Sequence, residues 1–231
     1  MDLEVIDELI TAVDSAENDP AVEGLILSGK EGFFSSGLDL ITLYGYNEEQ
    51  MEHFWSRFMI LLQKLVSFSK PAVSAITGHS PAGGCVLALC CDYRIMAEGE
   101  YIIGLNEVPV GIVVPESIFK LYSFWLGSGI AYRSLIEGKL FTPQEALAIG
   151  LVDEVVELSR IQNAALRKVK SVTQFEKNAW RNSKQNFRKD LLNSLKSNQQ
   201  ETITQVLDQW WRPGTRAIMK TIIENLTQRK G

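Results

Sequence analysis

Hydrophobic positions along the first third of the chain recur at spacings that predict helices alternating with short strands. Apolar residues at three- and four-residue intervals over Leu3–Val13 predict an amphipathic helix that ends at the turn signal Asn18-Asp19-Pro20. The same spacing from Glu48 to Val66 predicts a long helix whose apolar stripe packs in the core. Short apolar runs at 22–27 and 71–77 predict buried strands.

The rest of the chain divides into a mixed part and a helical part. A continuous apolar stretch that ends at Cys91 is typical of a buried helix. Three further strands are predicted at Tyr93–Ala97, Tyr101–Leu105 and Val152–Val156. After them the pattern is helical, with Pro213-Gly214 separating two helices. Strands that alternate with helices favour a parallel α/β core over residues 1–157, followed by an all-helical region over 158–231.

Composition excludes several classes of protein. With 231 residues, 45% of them hydrophobic, the chain is long enough for one large domain with a substantial core. It has no run of about eighteen apolar residues, so no membrane span is predicted. Cys85, Cys90 and Cys91 lie within one apolar stretch, which predicts buried thiols in a reducing compartment. With two histidines, no metal site is predicted.

Charge is distributed unevenly along the chain. Residues 1–150 carry 8 basic and 20 acidic side chains, a net charge of −12, whereas residues 151–231 carry 15 and 8, a net charge of +7. The overall charge of −5 and the scarcity of aromatics among the basic residues argue against nucleic-acid binding. A basic helical region is still suited to a small polyanion.

The first stretch with possible chemistry is the loop Phe33–Leu40, rich in small residues. A junction of this kind before a helix leaves backbone N–H groups free, and such groups bind an oxyanion or a phosphate. A simple turn is the alternative interpretation.

The second stretch, Gly78–Gly84, is predicted as a loop between a strand and a helix. It lacks the endings of phosphate-binding and dinucleotide-binding loops, but adjacent Gly83 and Gly84 let a ligand approach the backbone. Ser80 is outside a Gly-x-Ser-x-Gly elbow, and no histidine follows His79, which excludes the usual serine-hydrolase layout.

The third stretch places one carboxylate, Glu107, after the apolar strand that ends near Leu105. Burial would raise the pKa of this side chain and make it a better base near neutral pH. A helix cap or a surface salt bridge is the alternative interpretation.

Taken together, the three stretches resemble the crotonase, or enoyl-CoA hydratase/isomerase, superfamily, and within it the Δ3,Δ2-enoyl-CoA isomerases of the mitochondrial type. The segments that carry the resemblance are Phe34–Leu40, Ser80–Cys85, Cys91–Ile95 and Gly104–Glu107. The resemblance implies a spiral of ββα turns with a C-terminal helical region for trimer formation and the CoA site, assembled as a homotrimer or a dimer of trimers. It also implies an acyl-CoA substrate with no separate cofactor, in the bacterial cytoplasm or in the mitochondrial matrix.

Motif positions imply the roles of individual residues. Backbone N–H groups of Leu38 and Gly83 would form an oxyanion hole for the thioester, and Glu107 would be the catalytic base. The substrate-binding residues implied by the same motifs are Ser36, Gly37, Leu38, Asp39, Leu40, Pro81, Ala82, Gly84 and Asn106.

Val86 marks a departure from the hydratases, which carry a second glutamate at this position. Hydration suits two carboxylates, whereas one suffices to move a proton from C2 to C4. We therefore expect conversion of 3-enoyl-CoA to trans-2-enoyl-CoA in fatty-acid β-oxidation, with Glu116 as a possible second acid. The alternatives are hydration or another acyl-CoA reaction, and a catalytically degenerate paralogue that binds acyl-CoA or a partner.

Two expectations concern the CoA site. The chain begins where relatives begin their first long helix, so we expect their N-terminal strand pair to be absent, leaving an unpaired sheet edge or an incomplete adenine pocket. We expect most of the basic cluster on the helical region to form a solvated face, with one or two members touching CoA phosphates. This cluster comprises Arg167, Lys168, Lys170, Lys177, Arg181, Lys184, Arg188 and Lys189.

Overall fold

The structure, a computed structural model, describes residues 1–228. The strands in this part of the chain are β1 (Leu25–Ser28), β2 (Gly32–Phe33), β3 (Ala72–Ile76), β4 (Gly78–Pro81), β5 (Tyr93–Ala97), β6 (Ile103–Gly104) and β7 (Glu154–Val156). The helices are α1 (Leu3–Asn18), α2 (Leu40–Tyr44), α3 (Glu48–Ser67), α4 (Gly83–Cys90), α5 (Glu116–Leu126), α6 (Ser128–Glu137), α7 (Pro143–Ala148), α8 (Ile161–Thr173), α9 (Lys177–Lys196), α10 (Gln199–Trp210) and α11 (Pro213–Gln228).

The strands form two parallel sheets. The larger sheet has the order β1-β3-β5-β7, and the smaller has the order β2-β4-β6. Each parallel connection contains a helix or a long crossover, as parallel pairing requires. The predicted parallel α/β core is therefore confirmed.

Local sequence explains where the first long helices begin and end. Asp2 caps α1 by accepting a hydrogen bond from the Val5 N–H, and α1 ends at Asn18, before the predicted turn. Asn47 and Gln50 form a capping box at the start of α3. The buried apolar side chains of α1 and α3 face each other, which gives the amphipathic stripes their packing partners.

The segment predicted as a loop at Gly78–Gly84 differs from expectation, because its first half is strand β4. Gly78 pairs with Gly32 of β2, and Ser80 pairs with Ile103 of β6. A Gly-His-Ser-Pro sequence has low intrinsic strand propensity. Its two neighbouring strands, which lie far away in sequence, supply the hydrogen bonds that make it a strand.

Every element after β7 is helical within the described residues. A 3₁₀ turn at Leu158–Arg160 leads into α8, which packs on the larger sheet. α9 and α10 pack on α3, and α11 packs on α2, beside the first candidate loop. The predicted break at Pro213-Gly214 is confirmed, since α10 ends at Trp210 and α11 begins at Pro213. Residues 229–231 of the predicted helical region lie outside the described residues.

Between residues 1 and 228, no helix is both long and apolar enough to cross a membrane.

Candidate active site

The three candidate stretches all leave the same edge of the smaller sheet. β2, β4 and β6 run parallel, with Phe33 opposite His79 and Pro81 opposite Gly104. Leu38, Gly83 and Glu107 follow the ends of these three strands in turn. Because parallel strands end at one edge, the topology brings the three stretches together, at the position where α/β proteins bind ligands.

The first two loops touch each other through their backbones. Gly37 is buried and has φ +83°, and a Cβ at this position would lie 3.2 Å from the Gly83 nitrogen. A Cβ on Gly84 would collide with the Ser35 carbonyl oxygen. Both positions therefore require glycine, since any side chain would push the two loops apart.

The amide groups of Leu38 and Gly83 are unpaired within the described residues. Neither N–H has a hydrogen-bond acceptor among residues 1–228. Gly83 is the first residue of α4, and the preceding Ala82 offers no side-chain cap. Ala82 itself has φ 51° and donates its N–H to the Gly104 carbonyl oxygen at 2.8 Å, so the loop is held in a strained conformation against β6. Free amides at a helix start favour a negatively charged oxygen.

Glu107 is held by the turn that follows β6. Its carbonyl oxygen accepts hydrogen bonds from the N–H groups of Val110 at 3.1 Å and Ile112 at 2.9 Å. The carboxylate oxygen Oε2 is enclosed and has no hydrogen-bond partner within the described residues. Burial raises the pKa of Glu107 to about 7. Within the described residues, the Glu107 side chain forms neither a surface salt bridge nor a helix cap. The interpretation of Glu107 as a base is therefore favoured over these two alternatives.

Two buried side chains of α4 and α5 lie near Glu107. The pKa of the Cys85 thiol is raised well above its usual value, first by burial and then by the Glu107 charge. Burial, with smaller effects from Cys85 and Glu107, also raises the pKa of Tyr122. The Tyr122 hydroxyl is enclosed without a partner. Sequence reasoning missed Tyr122, because it comes from an apolar helix outside the three motifs.

The first loop also provides polar and exposed residues. Asp39 caps α2: its Oδ1 accepts from the N–H groups of Ile41 and Thr42, and its Oδ2 accepts from the Thr42 hydroxyl. Burial raises the pKa of Asp39, whereas these hydrogen bonds lower it, and the net result is a lowered pKa. Ser36 is exposed, and Leu40 is the first residue of α2. The Asp39 side chain therefore organises the loop.

The remaining predicted residues lie on the other two segments. Pro81 ends β4, Ala82 is the N-cap residue of α4, and half-buried Asn106 directly precedes Glu107. Glu116 begins α5, where its side chain is 77% exposed and its Oε1 lies 2.7 Å from Lys120 Nζ. This exposed ion pair weighs against Glu116 as a second acid.

The basic cluster only partly forms the expected solvated face. Lys184 and Arg188 are buried and both contact Asp92. Lys168 Nζ lies 3.9 Å from the centre of the Tyr93 ring. The two buried cations are structural groups that helical periodicity alone does not distinguish from exposed ones.

An apolar groove begins next to Glu107. Its volume is about 480 Å³, and it is lined by Val108, Gly111, Ile112, Val113, Val114, Phe119, Tyr132, Leu135, Ile136 and Gln209. Within residues 1–228, no group of three or more His, Cys, Asp or Glu side chains is arranged to hold a metal ion. The site thus consists of two free amides, one buried carboxyl and adjacent apolar surface.

Comparison with known proteins assigns this fold and site to a class. The sequence profile described as enoyl-CoA hydratase/isomerase matches residues 1–212, and the chain belongs to that family. It is 43% identical over 167 residues to enoyl-CoA delta isomerase 1, mitochondrial, of Mus musculus, covering 71% of this chain and 58% of the mouse protein. It is 36% identical over 152 residues to a putative enoyl-CoA hydratase of Thermus thermophilus, covering 64% of this chain and 58% of that protein.

A solved structure extends the similarity to the whole chain. The crystal structure of human mitochondrial delta3-delta2-enoyl-CoA isomerase has a TM-score of 0.96 at 33% identity, covering 100% of this chain and 90% of the human chain. The predicted crotonase-like core with its helical C-terminal region is therefore confirmed. The match to the mouse protein spans less than two thirds of that protein's length.

Proposed function

We propose that this protein converts 3-enoyl-CoA to trans-2-enoyl-CoA, in fatty-acid β-oxidation, with Glu107 as the single proton carrier. The observation that supports this most directly is the buried carboxyl group of Glu107, with its Oε2 unpartnered within the described residues, at the strand edge that also carries the unpaired amides of Leu38 and Gly83. The relatives named as enoyl-CoA isomerases support the same proposal.

In the proposed reaction, the thioester carbonyl oxygen accepts hydrogen bonds from Leu38 N–H and Gly83 N–H. Glu107 removes a proton from C2, and the electron pair of the C–H bond moves toward the carbonyl to form a dienolate. The two amides stabilise the negative charge that develops on oxygen. Glu107 then returns the proton to C4, which leaves the double bond between C2 and C3 and regenerates the carboxylate.

The surroundings of Glu107 favour proton transfer over addition of water. A pKa of about 7 lets one carboxyl both accept and return a proton near neutral pH. Val86, the position of the second glutamate in hydratases, is 2% exposed and packs in the core. At this position the chain therefore offers no second carboxylate to activate water.

The proposal is tested by following 3-enoyl-CoA consumption spectrophotometrically. We expect turnover by the parent chain and a loss of about 10²- to 10⁴-fold in kcat for Glu107→Gln, the usual contribution of a general base. Glu137→Gln changes an exposed glutamate of α6 and serves as the matched control. Normal turnover by Glu107→Gln, with the control unchanged, would sink the proposal.

Hydration is the second candidate, because one relative is named a putative enoyl-CoA hydratase. It predicts formation of 3-hydroxyacyl-CoA from 2-enoyl-CoA. A variant Glu116→Gln that lost activity would restore Glu116 as a second acid, whereas unchanged activity would support the single-carboxylate mechanism.

The assembly and the compartment belong to the same proposal. We propose that the helical region, residues 158–231, mediates a homotrimer or a dimer of trimers, which light scattering would detect as a mass three or six times 25.9 kDa. Coenzyme A enters as part of the substrate, with no separate cofactor. The three free, buried cysteines suit a reducing compartment, either a bacterial cytoplasm or the mitochondrial matrix.

A further inference from the structure

The two ends of α4 differ in whether their backbone groups are hydrogen-bonded. At its N-terminal end the Gly83 amide is free and no side chain caps the helix. At its C-terminal end the carbonyl oxygens receive side-chain hydrogen bonds from three other elements. These bonds are Ser74 Oγ to Ala88 O at 3.1 Å, Trp125 Nε1 to Leu89 O at 2.8 Å, Arg188 Nη1 to Cys90 O at 2.7 Å and Arg188 Nη2 to Cys91 O at 2.9 Å.

Arg188 supplies two of these four bonds from the helical region of the chain. Its side chain is buried, and its Nη2 also lies 3.1 Å from Asp92 Oδ1. Asp92 Oδ2 in turn accepts from Lys184 Nζ at 2.7 Å and from the Ala72 N–H at 2.8 Å. Arg188 contacts Asp92 through Oδ1, and the Ala72 N–H anchors Asp92 independently of Lys184. The guanidinium is therefore held in one orientation, with its charge compensated and its planar fork directed at two carbonyl groups, whether or not Lys184 is present.

Because α4 is short and apolar, the hydrogen bonds at its C-terminal end affect the position of its N-terminal end. The helix has eight residues, so it is about 12 Å long. All eight residues are buried, and apart from the two thiols their side chains are apolar. Apolar contacts are non-directional, so directional hydrogen bonds set the position of the helix along its axis: the four at Ala88–Cys91 and the bond from the Ala82 N–H to Gly104 O just before the helix. Loss of the bonds at the C-terminal end leaves the position of the Gly83 N–H less tightly fixed.

We propose that Arg188 is a positioning residue for the oxyanion hole: by holding the Cys90 and Cys91 carbonyls, it sets the position of the Gly83 amide. The inference rests on the proposed function, in which that amide binds the thioester oxygen. An oxyanion donor tolerates a displacement of only about 0.5 Å before it loses effect. The helical region would thus act on catalysis through α4 while touching neither substrate nor reacting atoms.

The experiment compares Arg188→Met, Arg188→Lys and the matched control Lys184→Met. Lys184 belongs to the same helix and the same Asp92 cluster, but its Nζ donates to Lys70 O and Asp92, not to α4. For Arg188→Met we expect kcat to fall at least tenfold while KM changes less than twofold. Arg188→Lys should retain part of kcat, because one ammonium cannot serve both carbonyls in the same fork.

A spectroscopic measurement separates positioning from a general loss of stability. A saturated acyl-CoA with a ¹³C-labelled thioester carbonyl binds without turning over, and its infrared carbonyl frequency reports the strength of the oxyanion hydrogen bonds. We expect Arg188→Met to shift this frequency toward that of the free thioester. Lys184→Met should lose thermal stability while kcat and the carbonyl frequency stay at the parent values.

Several outcomes would overturn the inference. Parent-like kcat and carbonyl frequency in folded Arg188→Met are the first, and the same changes in Lys184→Met are the second. If Arg188→Met does not fold, parent values for both quantities in Arg188→Lys overturn it equally. Failure of the parent chain to isomerise 3-enoyl-CoA would count against the proposed function, while the carbonyl frequency would still test the inference.

Discussion

Glu107 and Asp92 are two acidic side chains in opposite situations, one at each end of α4. Within the described residues, one carboxylate oxygen of Glu107 is enclosed with no hydrogen-bond partner, and the pKa of the Glu107 carboxyl group is raised to about 7. Asp92 accepts hydrogen bonds from Lys184 and the Ala72 N–H, and forms an ion pair with Arg188. Burying a charged group without partners costs free energy, and such groups are found chiefly at sites that bind or transform a ligand. The contrast therefore separates the proposed catalytic region from a structural one.

The same contrast extends to the main chain. The free amides of Leu38 and Gly83 lie on the Glu107 side, whereas carbonyl groups at the far end of α4 are hydrogen-bonded by Trp125 and Arg188. Most buried backbone groups in proteins are paired. Unpaired groups of the described residues thus gather at the strand edge where we propose that the substrate binds.

Asp92→Asn tests the structural side and should have the largest effect on stability. It leaves the buried cations Lys184 and Arg188 without a carboxylate, so we expect the free energy of unfolding to fall by about 3–5 kcal/mol. Urea denaturation would measure the change, with Asp190→Asn as an exposed control on α9. A loss below about 1 kcal/mol would show that the Asp92 cluster behaves like a surface ion pair. Asp92 would then not be the structural counterpart of Glu107 that this comparison requires.

Glu107→Gln tests the Glu107 side of this comparison through the pH dependence of the free energy of unfolding. Glu107 has its folded-state pKa raised from 4.5 to about 7, so the folded chain holds this proton more tightly than the unfolded chain. The parent should therefore lose stability as pH rises from about 4.5 through about 7. At pH 8 the variant should be more stable than the parent by about 3 kcal/mol, and the two should converge near pH 4. Urea denaturation at both pH values measures this difference.

The opposite pH trend would contradict the assignment of Glu107 as a buried, uncompensated carboxyl. A parent that gains stability on going from pH 4.5 to pH 7 relative to the variant would mean that the carboxylate is stabilised by partners. Glu137→Gln, exposed on α6, controls for the general effect of removing one acidic group.

Tyr122→Phe should have the smallest effect on stability. The Tyr122 hydroxyl is enclosed but has no hydrogen-bond partner within the described residues, so its removal breaks no bond. We expect the free energy of unfolding to stay within about 1 kcal/mol of the parent or to rise. Thermal denaturation measures this change in stability. A larger loss would mean that the Tyr122 hydroxyl has a hydrogen-bond partner and that Tyr122 has a structural role.

Particular residues show how far the sequence predicted the site. Three ordered motifs located Leu38, Gly83 and Glu107, and the structure brings their segments to one strand edge. Tyr122 was missed because an isolated tyrosine in an apolar helix carries no motif. Lys184 and Arg188 were expected mainly as solvated charges, since their burial depends on Asp92, which lies about ninety residues earlier in the chain.

By itself the sequence determined what depends on local chemistry: the amphipathic helices, their caps, and the glycine-rich loops that leave amide groups free. It also determined the family resemblance, through the order of the motifs. Only the tertiary structure decided which polar groups are paired and which are not. Strand β4 exists because β2 and β6 supply its hydrogen bonds, and the pKa of Glu107 is raised because distant segments bury its carboxyl group. Pairing and burial are long-range properties, so no local pattern encodes them.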